Sequence, residues 1–197
     1  SANLRRILNV RYIVWPVRQM GGAPEGLEPV SATQLGDGQI YEAVYEVATL
    51  PRARLVAQAE VVPDGDAVER LMDPAFDVAS RVVVPEPPPV ELGGGVPQGE
   101  VEWIRLGLDR RELRVETDRT SLVVLAENWY PAWQATVDGE PAPLLRVNHT
   151  LQAVPVGPGS HTVELAVRAG LVSSLAAALL MLGVAGRTLV IRRRTRG

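Results

Sequence analysis

The chain has no cysteine, and every one of its 20 basic residues is arginine. Without cysteine there is no disulfide framework and no thiolate metal site. Without lysine there is no Schiff-base nucleophile and no phosphate-loop lysine. Two histidines cannot complete a three-ligand metal site unless carboxylates join them, and the spacing places none beside them, so no metal and no cofactor is expected. The arginine bias is read as nucleotide bias in the source genome. Residues 1–17 hold no secretory signal, because Arg5, Arg6 and Arg11 interrupt the apolar residues and no initiator methionine is present. The expectation is a boundary cut into a longer protein.

At 197 residues and 46% hydrophobic, the chain can bury a core in one domain or two small ones. Its charge is uneven. All 23 acidic residues precede residue 165, and five arginines (187, 192, 193, 194 and 196) follow residue 186. Residues 1–186 therefore carry a net charge of −8. An acidic body offers no phosphate-binding footprint, which excludes nucleic acid as the expected partner.

Taken in order, Leu4, Ile7 and Leu8 have helical spacing, and residues 12–14 read as a strand halted at Pro16. Residues 21–38 read as loop. Strands are expected at 41–47, 54–62 and 78–84, with a short helix at 67–72 opened by the capping-box spacing of Asp66 and Glu69. Residues 85–99, with Pro85, Pro87, Pro88 and Pro89 followed by Gly93-Gly94-Gly95, suit a linker or a long surface loop. Strands then recur at 101–108, 112–116 and 122–126. The expected class is mainly β, a β-sandwich with a smaller α+β N-terminal part. Its expected divisions are 1–84, the linker 85–99, the sandwich 100–168, a transmembrane helix 169–191 and a basic tail 192–197.

Residues 122–167 carry the clearest pattern. Trp133, Ala135 and Val137 alternate with Gln134, Thr136 and Asp138, the period of a half-buried strand. Asp138-Gly139 suits a type I′ turn, so the chain is expected to return along residues 144–156 beside the strand it left. A second reversal at Gly157-Pro158-Gly159 leads into the alternating residues 162–167. The run ENWYPAWQATVDGEPAPLLRVNHTLQAVPVGPGSHTVEL resembles the end of the bacterial YfhO-type membrane proteins. The positions that carry this likeness are Glu127, Tyr130, Pro131, Trp133, Ala135, Val137, Asp138, Gly139, Arg146, Asn148, Val154, Pro155, Val156, Gly159, His161 and Val163. Ala132 departs from it, standing where glycine is usual. The LNVRYIV and LPRA segments, residues 8–14 and 50–53, are similar to the same family. The resemblance implies a polytopic protein with a transmembrane region like that of the GT-C membrane glycosyltransferases, ending in an extracytoplasmic β-rich domain. It also implies a lipid-linked sugar donor and a cell-envelope glycan acceptor, with the chemistry in the transmembrane part and this chain accessory to it.

Residues 169–186 are uncharged and almost wholly apolar. Continued to residue 191 they would make ~34 Å of helix, against a hydrocarbon core of ~30 Å. The alternative is a buried core helix. Arg187 can snorkel, and the arginines from 192 to 196 mark the cytoplasmic side, which puts the acidic body outside a bacterial cell membrane.

No set of catalytic residues is expected. Glu100/Glu102 and Glu116/Asp118 share strand faces, but such pairs are common on surfaces, and glycosidase carboxylates come from separate segments ~5–9 Å apart. Ser160-His161 lacks the nucleophile-elbow pattern. His149 falls on the face of Leu145, Val147, Leu151 and Ala153, the place of a satisfied, partly buried histidine. Trp129 and Tyr130, with Arg146 and Asn148 on the adjacent strand, are the candidate contacts for a sugar or its lipid carrier. The rings can stack on sugar faces, and the polar groups can bond hydroxyls or phosphates. The competing reading is structural: Trp133 as core, with Trp129 and Tyr130 packing the corner before Pro131 or resting at a membrane interface.

Overall fold

Residues 121–125, SLVVL, lack the alternation of residues 162–167, and this difference sets the layers of the molecule. A continuous apolar strand needs cover on both faces, an alternating one on a single face. The computed structural model describes residues 1–34, 36 and 39–167. The order is α1 (Ala2–Ile7), β1 (Tyr12–Trp15), α2 (Val17–Met20), β2 (Pro29–Gln34), β3 (Ile40–Glu46), β4 (Ala53–Val56), β5 (Ala59–Val61), α3 (Ala67–Met72) and β6 (Val82–Val84). The remaining elements are all strands: β7 (Gly99–Leu106), β8 (Arg110–Thr117), β9 (Ser121–Asn128), β10 (Trp133–Val137), β11 (Glu140–Ala142), β12 (Leu145–Val147), β13 (Leu151–Val156) and β14 (Gly159–Val167). The fold is mainly β.

Two sheets face each other, a five-stranded one in the order β11-β10-β14-β8-β7 and a four-stranded one in the order β12-β13-β9-β4. Leu113, Val115, Ala135, Val163 and Leu165 from the first meet Ala53, Val123, Leu125, Val154 and Val156 from the second. The other face of the four-stranded sheet is covered as well. Leu122, Val124, Leu151 and Ala153 pack there against Ile7, Ala67, Leu71, Phe76 and residues 82–84. That double cover is why β13, LQAVPV, is buried along its whole length. Full burial of one such leucine is worth about 1.5–3 kcal/mol. A parallel pair, β5 with β6, and an outlying sheet, β1-β3-β2, complete the described strands.

Several expectations hold: α1, β1, β3, α3 and the strands after Gly99 stand within a few residues of their expected places. Others need correction. Asp138 and Gly139, at φ 54 and 85, do form the two-residue turn, with Val137 opposite Glu140. The return arm is only β11, however, with Pro141 and Pro143 at positions whose nitrogens face away from β10, as an edge strand allows. Residues 144–156 do not lie beside β10. β13 pairs with β9 in the other sheet, where both of its faces can be dry. The Gly157-Pro158-Gly159 reversal likewise joins two sheets, since β14 pairs with β10 and β8.

Three smaller differences concern the N-terminal half. Residues 54–62 split into β4 and β5. Of residues 78–84 only the last three are strand, because Asp77 turns the chain by accepting bonds from Ala79 N and Ser80 Oγ. Residues 21–38 contain β2, exposed throughout, which no hydrophobic period could announce. Asp66 precedes α3 without a side-chain cap bond. Residues 85–98 cross the surface between β6 and β7, yet the segments on either side share one core and one sheet, β4 lying against β9. The membrane helix and tail expected at 169–197 lie outside the described residues. Among the described residues, no helix is long and apolar enough to cross a membrane.

Candidate functional site

Between β9 and β10 the chain changes sheets through Trp129, Tyr130, Pro131 and Ala132. Trp129 N donates to Thr150 O at 2.6 Å and its indole Nε1 to Leu144 O at 3.4 Å, so the ring lies half-buried along the corner. Trp133 N donates to Tyr130 O at 3.1 Å, and the Tyr130 side chain points out, the residue being 63% exposed. Trp129, Pro131, Trp133, Pro141 and Leu144 wall a groove of about 430 Å³ in which Gln134 and Thr136 supply polar atoms. Such a groove can take a planar apolar face with a few hydroxyls at its edge.

Arg146 and Asn148 do not join that groove. Arg146 borders a separate one of about 400 Å³, walled by Pro85, Pro87, Pro89 and Pro143. Its Nη1 lies 3.1 Å from Asp64 Oδ2, and His149 Nδ1 lies 3.3 Å from Asp64 Oδ1. Asn148 is 2% exposed and fastens the β12–β13 turn to β6: its backbone N donates to Val83 O at 2.7 Å, and its Oδ1 accepts from Val83 N at 2.9 Å. Its Nδ2 is buried with no partner among the described residues. His149 is corrected too. Asn148 and His149 have φ of 47 and 68, and two successive left-handed residues break the strand alternation, leaving the histidine exposed at the turn.

The strongest charged constellation is not legible in the sequence. Glu127, at the end of β9, meets two guanidinium groups. Arg52 Nε donates to its Oε1 at 2.7 Å, with Nη2 on the same oxygen, and Arg111 Nη2 lies 3.0 Å from Oε2. Arg111 stacks 4.3 Å over the Trp133 ring, and Arg52 lies 5.8 Å from that of Trp103. Only topology could unite them, because Arg52 comes 75 residues before Glu127 and Arg111 sits on the facing sheet. A carboxylate held by two guanidiniums closes the end of the core. Both of its oxygens are engaged, Oε1 by Arg52 and Oε2 by Arg111.

At the opposite end, His161 Nδ1 lies 2.7 Å from Asp138 Oδ2, and Thr162 N donates to Asp138 Oδ1 at 2.8 Å. The His161 bond first, and the Thr162 amide second, hold the Asp138 carboxyl below its ordinary range. Arg54, 8% exposed, donates to Val78 O at 3.0 Å; burial, then the charge of Arg6, lowers its pKa to about 10. No family model, curated protein or solved structure matches the chain. The site must therefore be read from its own residues.

Proposed function

We propose that this chain is the extracytoplasmic β domain and last membrane helix of a YfhO-like polytopic protein of the bacterial cell envelope. Its role there is accessory and non-catalytic, beside a transmembrane region that transfers a sugar from a lipid carrier. The observation that carries this reading is the sequence that follows β14. Val167 closes the last strand of an acidic body, residues 169–186 are uncharged and apolar, and arginines crowd positions 192–196. A rigid sheet leading straight into such a run is a short tether, and the arginine excess orients it with the body outside. The tryptophan groove supports a direct hand in presenting the sugar or its lipid. The same groove also favours a second reading, a membrane-anchored binding or assembly module with no enzymatic role.

The test restores the full-length protein and replaces Trp129, Tyr130, Arg146 and Asn148 singly with Ala, measuring folded abundance in membranes and glycan product. Trp129→Ala and Tyr130→Ala are expected to lower product at near-normal abundance, and Asn148→Ala to lower both together. Full product from a protein lacking residues 1–167 but keeping its last helix would remove the domain from the mechanism and leave the module reading.

A further inference from the structure

The end of the five-stranded sheet that holds Val167 gathers several exposed apolar side chains. Val167, 38% exposed, pairs with Trp133, and its N donates to Asp109 O at 2.8 Å, so Val167 lies beside the β7–β8 hairpin. That hairpin turns through Gly107, Leu108 and Asp109. Gly107 is required there, because a Cβ would lie 2.8 Å from Arg110 O. Leu108 at the tip is 96% exposed, an apolar side chain where turns ordinarily carry Asn, Asp, Gly or Ser. Behind it, the register shift between Trp103 and Arg105 leaves Ile104 44% exposed, and Leu106 is 50% exposed. Tyr130 stands on the same end, one turn before Trp133.

We infer that this end of the body, Ile104, Leu106, Leu108, Tyr130 and Val167, rests in the interfacial layer of the bilayer, with Leu108 entering the acyl boundary. The inference deepens the tether reading above and depends on it. The path of the chain identifies the occupant: residue 168 is an arginine and 169–186 are apolar, so a membrane entered there meets the hairpin tip within two or three residues of Val167. The chemistry of the rim agrees. Tyrosine collects at membrane interfaces, while Arg105 and Arg110 flank the tip and suit anionic phosphate heads, Arg110 also pairing with Glu164 at 2.6 Å. The opposing charges here are Asp109 at the tip, Glu112 across from Arg105, and Glu164, which Arg110 pairs.

The absence of cysteine makes the test direct. Leu108→Cys, Tyr130→Cys and, at the opposite end, Ser160→Cys each create a unique labelling site in the 197-residue chain. Each variant is checked by its melting temperature, labelled with a polarity-sensitive fluorophore and reconstituted into phosphatidylcholine–phosphatidylglycerol vesicles. Co-flotation is then scored, and quenching with doxyl-labelled lipid is measured on the floated fraction. The expected result is co-flotation of all three, with blue-shifted emission and several-fold stronger quenching at 108 and 130 than at 160. Co-flotation with an unquenched, water-like probe at 108 overturns the inference and leaves the tether intact. A blue-shifted but unquenched probe also overturns it, assigning the rim to a protein contact. Failure to float overturns the tether reading and the inference with it.

Discussion

The two ends of the sandwich are closed by opposite chemistry. At the end away from Val167, the turns are Asp118-Arg119, Asp138-Gly139 and Gly157-Pro158, and carboxylates satisfy the backbone. Asp118 Oδ1 accepts from Gln98 N at 2.9 Å, and Asp138 Oδ1 accepts from Thr162 N at 2.8 Å. These are turns built for water. At the Val167 end, the turns carry the apolar Leu108, Trp129, Tyr130 and Pro131 beside the exposed charges of Asp109 and Arg110, and the Arg52–Glu127–Arg111 cluster seals the core. The backbone asks the same of both ends, so the difference in turn composition is a matter of side chains and not of geometry, and it is what the proposed membrane contact would explain.

Breaking the interior seal should have the largest effect. Glu127→Ala leaves Arg111, with 12% of its side chain exposed, facing the core without its carboxylate. A loss of about 2–3 kcal/mol is expected, less than a fully buried pair would cost because Arg52 is 44% exposed. The urea midpoint of the chain in detergent measures it, and an unchanged midpoint would mean that Trp133 and Trp103 close this end alone.

The opposite end should yield less. Gly139 has φ 85 with open space around it, so Gly139→Val costs backbone strain but no clash. Roughly 1 kcal/mol or more is expected, read as a lower melting temperature; no change would detach the turn from the stability of β10.

Acid should act on that same end. Arg119 first, and the Gln98 amide second, hold Asp118 down at about 2, and Asp138 is lowered by His161. Depressed folded-state values contribute stability above the unfolded carboxylate range, near pH ~3.9, which is lost as pH falls toward the folded values. Asp118→Asn and Asp138→Asn should therefore flatten the melting-temperature decline below that pH and leave the profile above about pH 5–6 with the same shape. A steep acid limb surviving both changes would place the acid-sensitive groups elsewhere.

The smallest effect on stability belongs to the apolar tip. Leu108 is 96% exposed, so Leu108→Ser should move the urea midpoint in detergent by no more than about 0.5 kcal/mol equivalent. A larger drop would show that the side chain is buried in the folded body and would dissolve the contrast between the ends.

Much of the second half is legible because local signals decide it. Trp133, Ala135 and Val137 alternate, and Asp138-Gly139 can take two positive φ values, so β10 and its turn are set by a handful of neighbours. The path of the chain beyond that turn is not legible, because whether residues 144–156 stay in that sheet depends on the open edge of β9, which lies in the other sheet. Of the candidate contacts, Trp129 lies at the groove and Tyr130 at the rim, while Asn148 bonds Val83 and Arg146 pairs with Asp64. Positive φ at 148 and 149 decides both departures on that turn, and Asn-His gives weaker notice of it than Asp-Gly does. The Glu127 cluster has no local signature at all, since its three members come from three strands or their flanks.

The proposal at the centre of this account is that the β body stands outside the membrane, tethered through the residues after Val167. Protease added to intact spheroplasts carrying the full-length protein tests that placement most directly, with antibodies against the body and against the arginine-rich tail. Digestion of the body without lysis, while the tail stays protected, is the expected result. A body that survives until the spheroplasts are lysed would contradict it.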